Sequence, residues 1–461
     1  MADKERVATL EGTLTALVEG KKYTALREIL VTMNAADIAA ILAEVPQEKL
    51  PLLFRLLPKE LAAEAFVEME PDEQELLIQG FSDNELKEVV DELYVDDAVD
   101  IVEEMPANVV KRILKSADPE MRKMINEILK YPEDSAGSIM TTEYVSLRPN
   151  MTAEEAIKRI RRTGVDKETI YTCYVIDKNR VLIGMVSIRT LLLSEEDNVL
   201  EEIMETNVIA VNTLEDQESV ARMFSKYNFV ALPVVDQENR LVGIVTVDDA
   251  LDVLQEEVTE DIEKMAGIIS PSYKPYLRTG VFETWRARFP WLLVLMLSAT
   301  VTSMIISSFE ASLAACVVLT AFIPMLSGTG GNSGTQASVA VIRSLSLGEV
   351  EFADLVRVVW KEIRVGVLCG LVLAACNFVK LLLVDNMLFH NTQVTPLVAA
   401  VICLTLVFTV TCAKTVGCLL PMLAAKVGFD PAVMASPFIS TLVDAMSLLI
   451  YFQVARIILG I

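Results

Sequence analysis

Asp444 lies midway along the apolar run PFISTLVDAMSLLIYF. An ionised carboxylate at mid-bilayer costs at least about 2.5–3.5 kcal/mol, so by default it faces a pathway. The alternative is an ion pair with Lys414 in the preceding apolar run. Ser436, Ser440, Thr441 and Ser447 flank Asp444 and can hydrogen-bond a hydrated ion, while Asp430 sits at the mouth of the run. A second feature is Ser327-Gly-Thr-Gly-Gly-Asn-Ser-Gly-Thr-Gln336, which follows Pro324. Its four glycines in seven residues are expected to unwind a helix and expose carbonyls. Irregular backbone at membrane depth survives only against protein or a water-filled cavity. Close packing through small residues explains the glycines but not Asn332 and Gln336 among them. Gly328, Gly330, Gly331, Asn332, Gly334 and Gln336, with Ser440 and Thr441, therefore read as pore-lining. No Lys follows the glycines, so the segment is not a phosphate loop.

A third constellation is TVDDALDVLQEEVTEDIEK, Thr246 to Lys264. Leu251, Leu254, Val258, Ile262 and Met265 recur at the period of one helix face. Asp249, Asp252, Glu256, Glu260 and Glu263 recur on the other, with Asp248, Glu257 and Asp261 beside them. Like charges at i,i+4 oppose a helix by roughly 0.2–0.5 kcal/mol per pair, so the stripe is stable only if cations come to it. Asp96, Asp97 and Asp100 form a second compact acidic cluster. Every donor in these groups is an oxygen, and His390 is the only histidine. Oxygen donors favour a hard ion such as Mg²⁺, Ca²⁺ or Mn²⁺ over zinc or copper. One Asp with hydroxyls and carbonyls suits a Mg²⁺ that keeps its water. One acid per chain makes a weak site, but a twofold dimer axis would place two together.

These groups must be positioned by very different elements. Of the 461 residues, 1–280 carry 55 acidic and 30 basic side chains, whereas 281–461 carry 9 and 10. The first part reads as acidic and soluble, repelling nucleic acid and attracting cations; the second reads as apolar. MADKERVATLEG has no apolar core, so no signal peptide is expected and the N-terminus reads as cytoplasmic. Residues 1–130 read as all helix, with break signals about every 12 residues and a capping box at Ser82–Glu85. Such short helices should stack as a superhelix. Residues 131–247 alternate strands and helices and contain a repeat. TCYVIDKNRVLIGMVSIRTLL (172–192) matches ALPVVDQENRLVGIVTVDDAL (231–251) at an offset of 59, and Thr152–Glu155 caps a helix before it. Residues 248–280 comprise the acidic helix and a Pro/Gly connector. Residues 281–461 hold five apolar stretches near 289–309, 313–341, 363–384, 395–421 and 432–458, each near the ~20 residues that span a bilayer. Arg286, Arg288, Arg343, Arg357, Lys361 and Arg364 put the N-terminus and the second-to-third connection inside. Five spans leave the C-terminus outside. Residues 349–362 read as an amphipathic segment along the inner surface. Six of the seven cysteines fall in the apolar part without a CxxC pair and read as small hydrophobes. No activated Ser, Cys or His constellation suggests an enzyme.

The repeat resembles a tandem pair of CBS domains, a regulatory module that often binds adenosine nucleotides. The family's Ser/Thr-x-x-Asp pattern is kept at Thr246 to Asp249, which implies a ribose contact and ATP or another adenosine nucleotide as a cofactor, but the first copy has Thr190 in place of the Asp. The order of parts, PMLSGTGGNSGTQAS (324–338) and FDPAVMASPFISTLVDAMSLLIYFQVAR (429–456) resemble the MgtE family of magnesium channels or transporters over essentially the whole chain. The resemblance implies a multi-domain membrane protein with a superhelical N domain, tandem CBS domains, a long connecting "plug" helix and a five-helix transmembrane domain. It implies a homodimer in the cell membrane with a central pore. Asp444 would hold hydrated Mg²⁺, and regulatory Mg²⁺ would fall on Asp249, Asp252, Glu257, Glu260, Asp261, Asp430, Asp96 and Asp100. Asn228 and Ser436 depart from the family's acid and Asn at those positions. The alternatives are a carrier coupled to H⁺ or Na⁺, a conduit for Mn²⁺ or Co²⁺, and a membrane-anchored CBS nucleotide sensor.

Overall fold

The computed structural model describes Leu17 and residues 20–269, 276–381, 383, 394–434 and 436–460. His390, residues 270–275 of the connector and the side chain of Ser436 lie outside the described residues. The chain divides into two compact units, Met1–Gln255 and Glu256–Ile461.

The first unit opens with short helices, from α1 (Tyr23–Leu30) and α2 (Ala35–Ala43) through α3 (Leu50–Phe54), α4 (Lys59–Val67), α5 (Pro71–Gly80) and α6 (Asp83–Val90). They continue through α7 (Val95–Glu104), α8 (Ala107–Ser116) and α9 (Pro119–Ile128). Proline opens α5 and α9, where the missing N–H costs nothing. The Ser82–Glu85 capping box forms at the start of α6. Alternate helices pack on one another, α2 on α4, α4 on α6 and α6 on α8, which is the stacked superhelix expected from their length. One continuous core runs through them, with Phe54, Phe66 and Phe81 meeting at centroid distances of 5.4–6.5 Å.

Two three-stranded sheets follow. In the first, β1 (Ser146–Leu147) pairs parallel with β2 (Thr172–Ile176), which pairs antiparallel with β3 (Leu182–Ser187). In the second, β4 (Val211–Asn212), β5 (Ala231–Val235) and β6 (Leu241–Thr246) repeat the arrangement. The register repeats too: Thr172 opposes Ser187 and Ala231 opposes Thr246. The repeated glycine has one physical reason in both copies. A Cβ on Gly184 would lie 2.5 Å from Met204 Sδ, and one on Gly243 would lie 2.7 Å from Met140 Sδ and from the Thr141 carbonyl. The hairpin tips join the copies, with Leu182 N–H donating to Asn239 C=O at 3.0 Å and Leu241 N–H to Arg180 C=O at 2.9 Å. Helices α10 (Ala153–Thr163), α11 (Ile188–Leu193), α12 (Leu200–Ile203) and α13 (Gln217–Tyr227) cover the sheets. Thr152 and Glu155 close the expected capping box on α10. Asn228 ends α13 in the left-handed region at φ 55°, a conformation that Asn tolerates well. Helix α14 (Val247–Met265) carries the acidic stripe.

The second unit holds α15 (Val281–Ser308), α16 (Glu310–Ala315), α17 (Ile323–Ser346), α18 (Leu355–Lys380), α19 (Pro396–Val427) and α20 (Ser436–Leu459). Among the described residues, four stretches are long and apolar enough to cross a membrane, at Val281–Ser308, Phe352–Lys380, Pro396–Val427 and Pro431–Leu459. The fifth long helix, α17, is the glycine-bearing one. Two sequence expectations need correction. The glycine segment does not unwind: α17 runs as regular helix through Gly328, Gly330, Gly331 and Gly334. Gly330 and Gly334 are accommodated because neighbouring helices occupy the space their side chains would fill. Residues 349–362 are not a separate surface segment. After a 3₁₀ turn at Phe352–Asp354, residues from Leu355 onward form the first turns of α18 itself. Helix α15 buries none of its residues within the chain.

Candidate functional site

The membrane site is built by close approach of α17, α19 and α20. A Cβ on Gly330 would stand 2.7 Å from Thr409 Cγ2 and 2.9 Å from Val443 Cγ1. One on Gly334 would stand 2.8 Å from Ile439 Cγ2, and one on Gly417 would stand 2.2 Å from the Gly334 carbonyl oxygen. Small residues thus let three backbones pack at distances larger residues forbid. Gly330, Gly331 and Gly334 are buried in this contact, whereas Gly328, Asn332 and Gln336 share the exposed face at i, i+4 and i+8. A Cβ on Gly328 would meet nothing within 4 Å.

This packing brings α20 against the edge of that open face. The half-buried Asp444 accepts a hydrogen bond from Ser327 Oγ through its Oδ1. Lys414 is buried and forms no ion pair with Asp444 or with any other described residue, so the ion-pair alternative is not what the fold builds. Two of the flanking hydroxyls donate along their own helix, Thr441 to the Pro437 carbonyl at 3.0 Å and Ser447 to the Asp444 carbonyl at 2.9 Å. Ser440 faces Gly331, whose Cβ would lie 3.5 Å from its Oγ. Ser327 was in view as part of the glycine run, but nothing local in the sequence marks it as the partner of a residue 117 positions away.

Asp430, in the loop before α20, accepts from Ala432 N–H at 2.8 Å through Oδ1. Its Oδ2 pairs with Lys264 Nζ at 2.7 Å, and Lys264 pairs within α14 with Glu260 Oε1 at 2.6 Å. Burial works against the Lys264 charge, but hydrogen bonds to Asp430 and Glu260 outweigh it and hold the ammonium above its usual range. An ammonium therefore stands where acidic groups of α14 and of the loop before α20 meet. Beyond it, Gly267 adopts φ +77°, and a Cβ there would lie 2.2 Å from the Trp291 ring. Glu257 and Asp261 are half-buried on α14 and Asp252 is exposed.

In the first unit the acidic groups converge. Asp96, 6% exposed, sits at the start of α7 and accepts from Asp97 N–H at 3.1 Å. Asp249 accepts from Thr246 Oγ1, the contact by which the repeat's Thr-x-x-Asp pattern opens α14. Burial, then the charges of Asp249, Asp97 and Glu168, push Asp96 well above the carboxylate range. Burial, then Asp249 and Asp248, raise Asp97 to about 7, and burial, then Asp249 and Asp97, raise Asp100. Glu168 rises to about 8 through burial and then Asp97, Asp248 and Asp249, and its Oε2 is buried without a partner. Glu143 joins them, its Oε2 accepting from Val95 N–H at 3.0 Å. A carboxylate at a helix N-terminus is favoured by the helix dipole, and Tyr94 offers no side-chain cap there. Glu143 and Glu168 are additions that sequence reasoning missed, because their relation to α7 is purely tertiary. Carboxylates packed to this density hold protons or cations.

Comparison with known proteins agrees with this architecture. The signature of the "MgtE intracellular N domain" matches residues 33–134, that of the CBS domain matches 136–196 and 200–256, and that of the MgtE "Divalent cation transporter" matches 323–454. The "Magnesium transporter MgtE" of Thermus thermophilus is 40% identical over 448 residues, 96% of this chain and 97% of that protein. The "Magnesium transporter MgtE" of Bacillus subtilis is 32% identical over 439 residues, 95% of each. A solved cytosolic domain of the Mg²⁺ channel MgtE in complex with ATP superposes with a TM-score of 0.51 at 39% identity, covering 53% of this chain and 99% of that one.

Proposed function

The chain belongs to the MgtE family of divalent cation transporters, and from that membership we propose that it carries Mg²⁺ across the cell membrane into the cytoplasm. It is a transport protein rather than an enzyme. The observation that carries the reading is Asp444, held by Ser327 at the edge of the α17 face that bears Gly328, Asn332 and Gln336. A homodimer would bring two such carboxylates together on a pore axis, and the unburied α15 leaves apolar surface for lipid and for that second copy. Mg²⁺ sheds water reluctantly and is commonly held through one or two carboxylates with waters retained. Five spans would place the N-terminus inside and the C-terminus outside, with α17 as the second span lining the pathway. The test is uptake in cells lacking other Mg²⁺ routes: Asp444→Ala abolishes it, and uptake at the wild-type level would overturn the pore assignment.

The gate in this reading is the transported ion itself. At high cytosolic Mg²⁺, ions bound among Asp96, Asp97, Asp100, Glu143, Glu168, Asp248 and Asp249 cancel their repulsion and keep α7 against the CBS pair and α14. Asp252, Glu257, Glu260 and Asp261 add further carboxylates on α14. When Mg²⁺ falls, the repulsion opens the gate. A ligand shifts such an equilibrium only through its difference in affinity for the two states, and carboxylates brought together only in the closed state provide that difference. Protection of the soluble unit from proteolysis by millimolar Mg²⁺ is the expected signature, and unchanged cleavage would refute it. Nucleotide is the second ligand supported, by the ATP complex of the relative's cytosolic domain. Thr246 and Asp249 offer a hydroxyl and a carboxylate, while the first copy offers Ser187 and Thr190, whose hydroxyls lie 2.8 Å apart. Calorimetric titration with ATP tests this, with Asp249→Ala weakening the binding.

A further inference from the structure

Asp444 and Ser327 meet because the glycines draw α17 and α20 together. A Cβ on Gly331 would already touch Ser440, and those on Gly330 and Gly334 would collide with Val443 and Ile439. At this separation Ser327 Oγ reaches Asp444 Oδ1. A serine hydroxyl is one donor with two acceptor lone pairs, and an ionised carboxylate has about four acceptor sites on two oxygens. Donation to Oδ1 ties down one carboxylate oxygen and fixes the rotamer. Oδ2 and the remaining acceptor lone pairs of both groups are left for water or an ion. Gly328, the next residue on α17, has open space where a side chain would be.

We propose that Ser327 is a positioning and selectivity residue of the permeation pathway, holding Asp444 so that it receives the water shell of the ion through one oxygen rather than a bare ion through both. The proposal rests on the reading of Asp444 as the pore carboxylate. The two classes of ion differ in what they ask of a carboxylate. Mg²⁺ keeps an octahedral water shell and accepts outer contacts from single oxygens, whereas Ca²⁺ exchanges water for six to eight oxygens and can take a carboxylate through one oxygen or through both. A carboxylate whose Oδ1 already accepts a hydroxyl has one acceptor lone pair fewer and less freedom to turn, so it is a weaker bidentate ligand than a free one. Ser327 is therefore a device against the larger ion, and its acceptor lone pairs add a further contact for the water of the smaller one.

The test is the ratio of Mg²⁺ to Ca²⁺ flux through the full-length protein in liposomes, a ratio that does not depend on how much protein folds. Ser327→Ala frees Oδ1 and lowers the ratio about tenfold, the equivalent of one hydrogen bond at about 1.4 kcal/mol per decade. Ser327→Cys keeps the volume but donates weakly, and lowers the ratio in the same direction. Ser327→Thr keeps the hydroxyl and holds the ratio within twofold of wild type. Ratios for the Ala and Cys variants within twofold of wild type, with Asp444→Ala inactive, would overturn the role of Ser327 while leaving the pore carboxylate in place. Wild-type flux in Asp444→Ala would overturn the underlying reading instead.

Discussion

Lys264 offers the sharpest perturbation of the gate. Its ammonium touches Glu260 at 2.6 Å within α14 and Asp430 at 2.7 Å in the loop before α20, with the three side chains 26–33% exposed. The Glu260 contact is i,i+4 in one helix and persists whether or not the helix stays beside Asp430. Only the Asp430 contact distinguishes the two states. Hydrogen bonds between charged groups contribute about 1.5–3 kcal/mol when shielded, and exposed ion pairs about 0.2–1 kcal/mol. A contact one-third exposed falls between them, at about 1 kcal/mol, or roughly fivefold in the docking equilibrium. Lys264→Met removes the charge and keeps much of the apolar stem. Flux into liposomes at low cytosolic-side Mg²⁺ should rise where the gate is partly closed, by up to about fivefold. Saturating Mg²⁺ should still close the gate, because the freed Asp430 carboxylate gains affinity for the ion. The dependence on Mg²⁺ therefore becomes steeper. An unchanged closing curve would refute the idea that this ammonium holds the helix.

Three other outcomes follow from the same geometry. Asp97 and Glu168 titrate near 7 and 8 in the folded unit, above an unfolded value of about 4. Their folded forms hold protons more tightly, so stability is fully present below about pH 4 and is lost as pH rises through about 7 to 8. Facing them are Asp96, Asp100, Asp248, Asp249 and Glu143, with Lys167 beside Glu143. The protection factors of the α7 amides, taken relative to the intrinsic exchange rate at each pH, should fall from about pH 6 to about pH 8.5 without divalent ions and hold with Mg²⁺; protection independent of pH contradicts the cluster. Glu168→Gln together with Asp97→Asn should give protection without Mg²⁺, read by the same exchange, and continued dependence on the ion would argue against repulsion as the opening force. Gly417→Ala places a methyl group 2.2 Å from the Gly334 carbonyl, an overpacking cost of about 1–3 kcal/mol, so its melting temperature in detergent should fall while Gly428→Ala, with no neighbour within 4 Å, reports only its backbone strain.

What the sequence made legible was periodic or local. The Ser82–Glu85 and Thr152–Glu155 caps, the repeat offset of 59 and the face of α14 follow from residues within a few turns of one another. The intramembrane carboxylate was legible from cost alone, since Asp444 interrupts an apolar run. The pairings escaped because long-range packing creates them: Ser327 with Asp444, Lys264 with Asp430, and Glu143 with the first N–H of α7. The glycine run misled for a physical reason. Glycine weakens an isolated helix by about 0.5–1 kcal/mol relative to alanine, which suggests unwinding, yet three backbones packed at Gly330, Gly334 and Gly417 offset that loss. Pattern alone does not say which helix will fill the missing side chain.

The central claim is that Asp444 carries the ion. The measurement that tests it most directly is Mg²⁺ entry into liposomes bearing purified full-length protein, followed with a trapped Mg²⁺ indicator for wild type and Asp444→Ala side by side. Wild type should admit Mg²⁺ and the variant should show the protein-free background, with both proteins eluting as the same species. Entry through Asp444→Ala at the wild-type rate would contradict it.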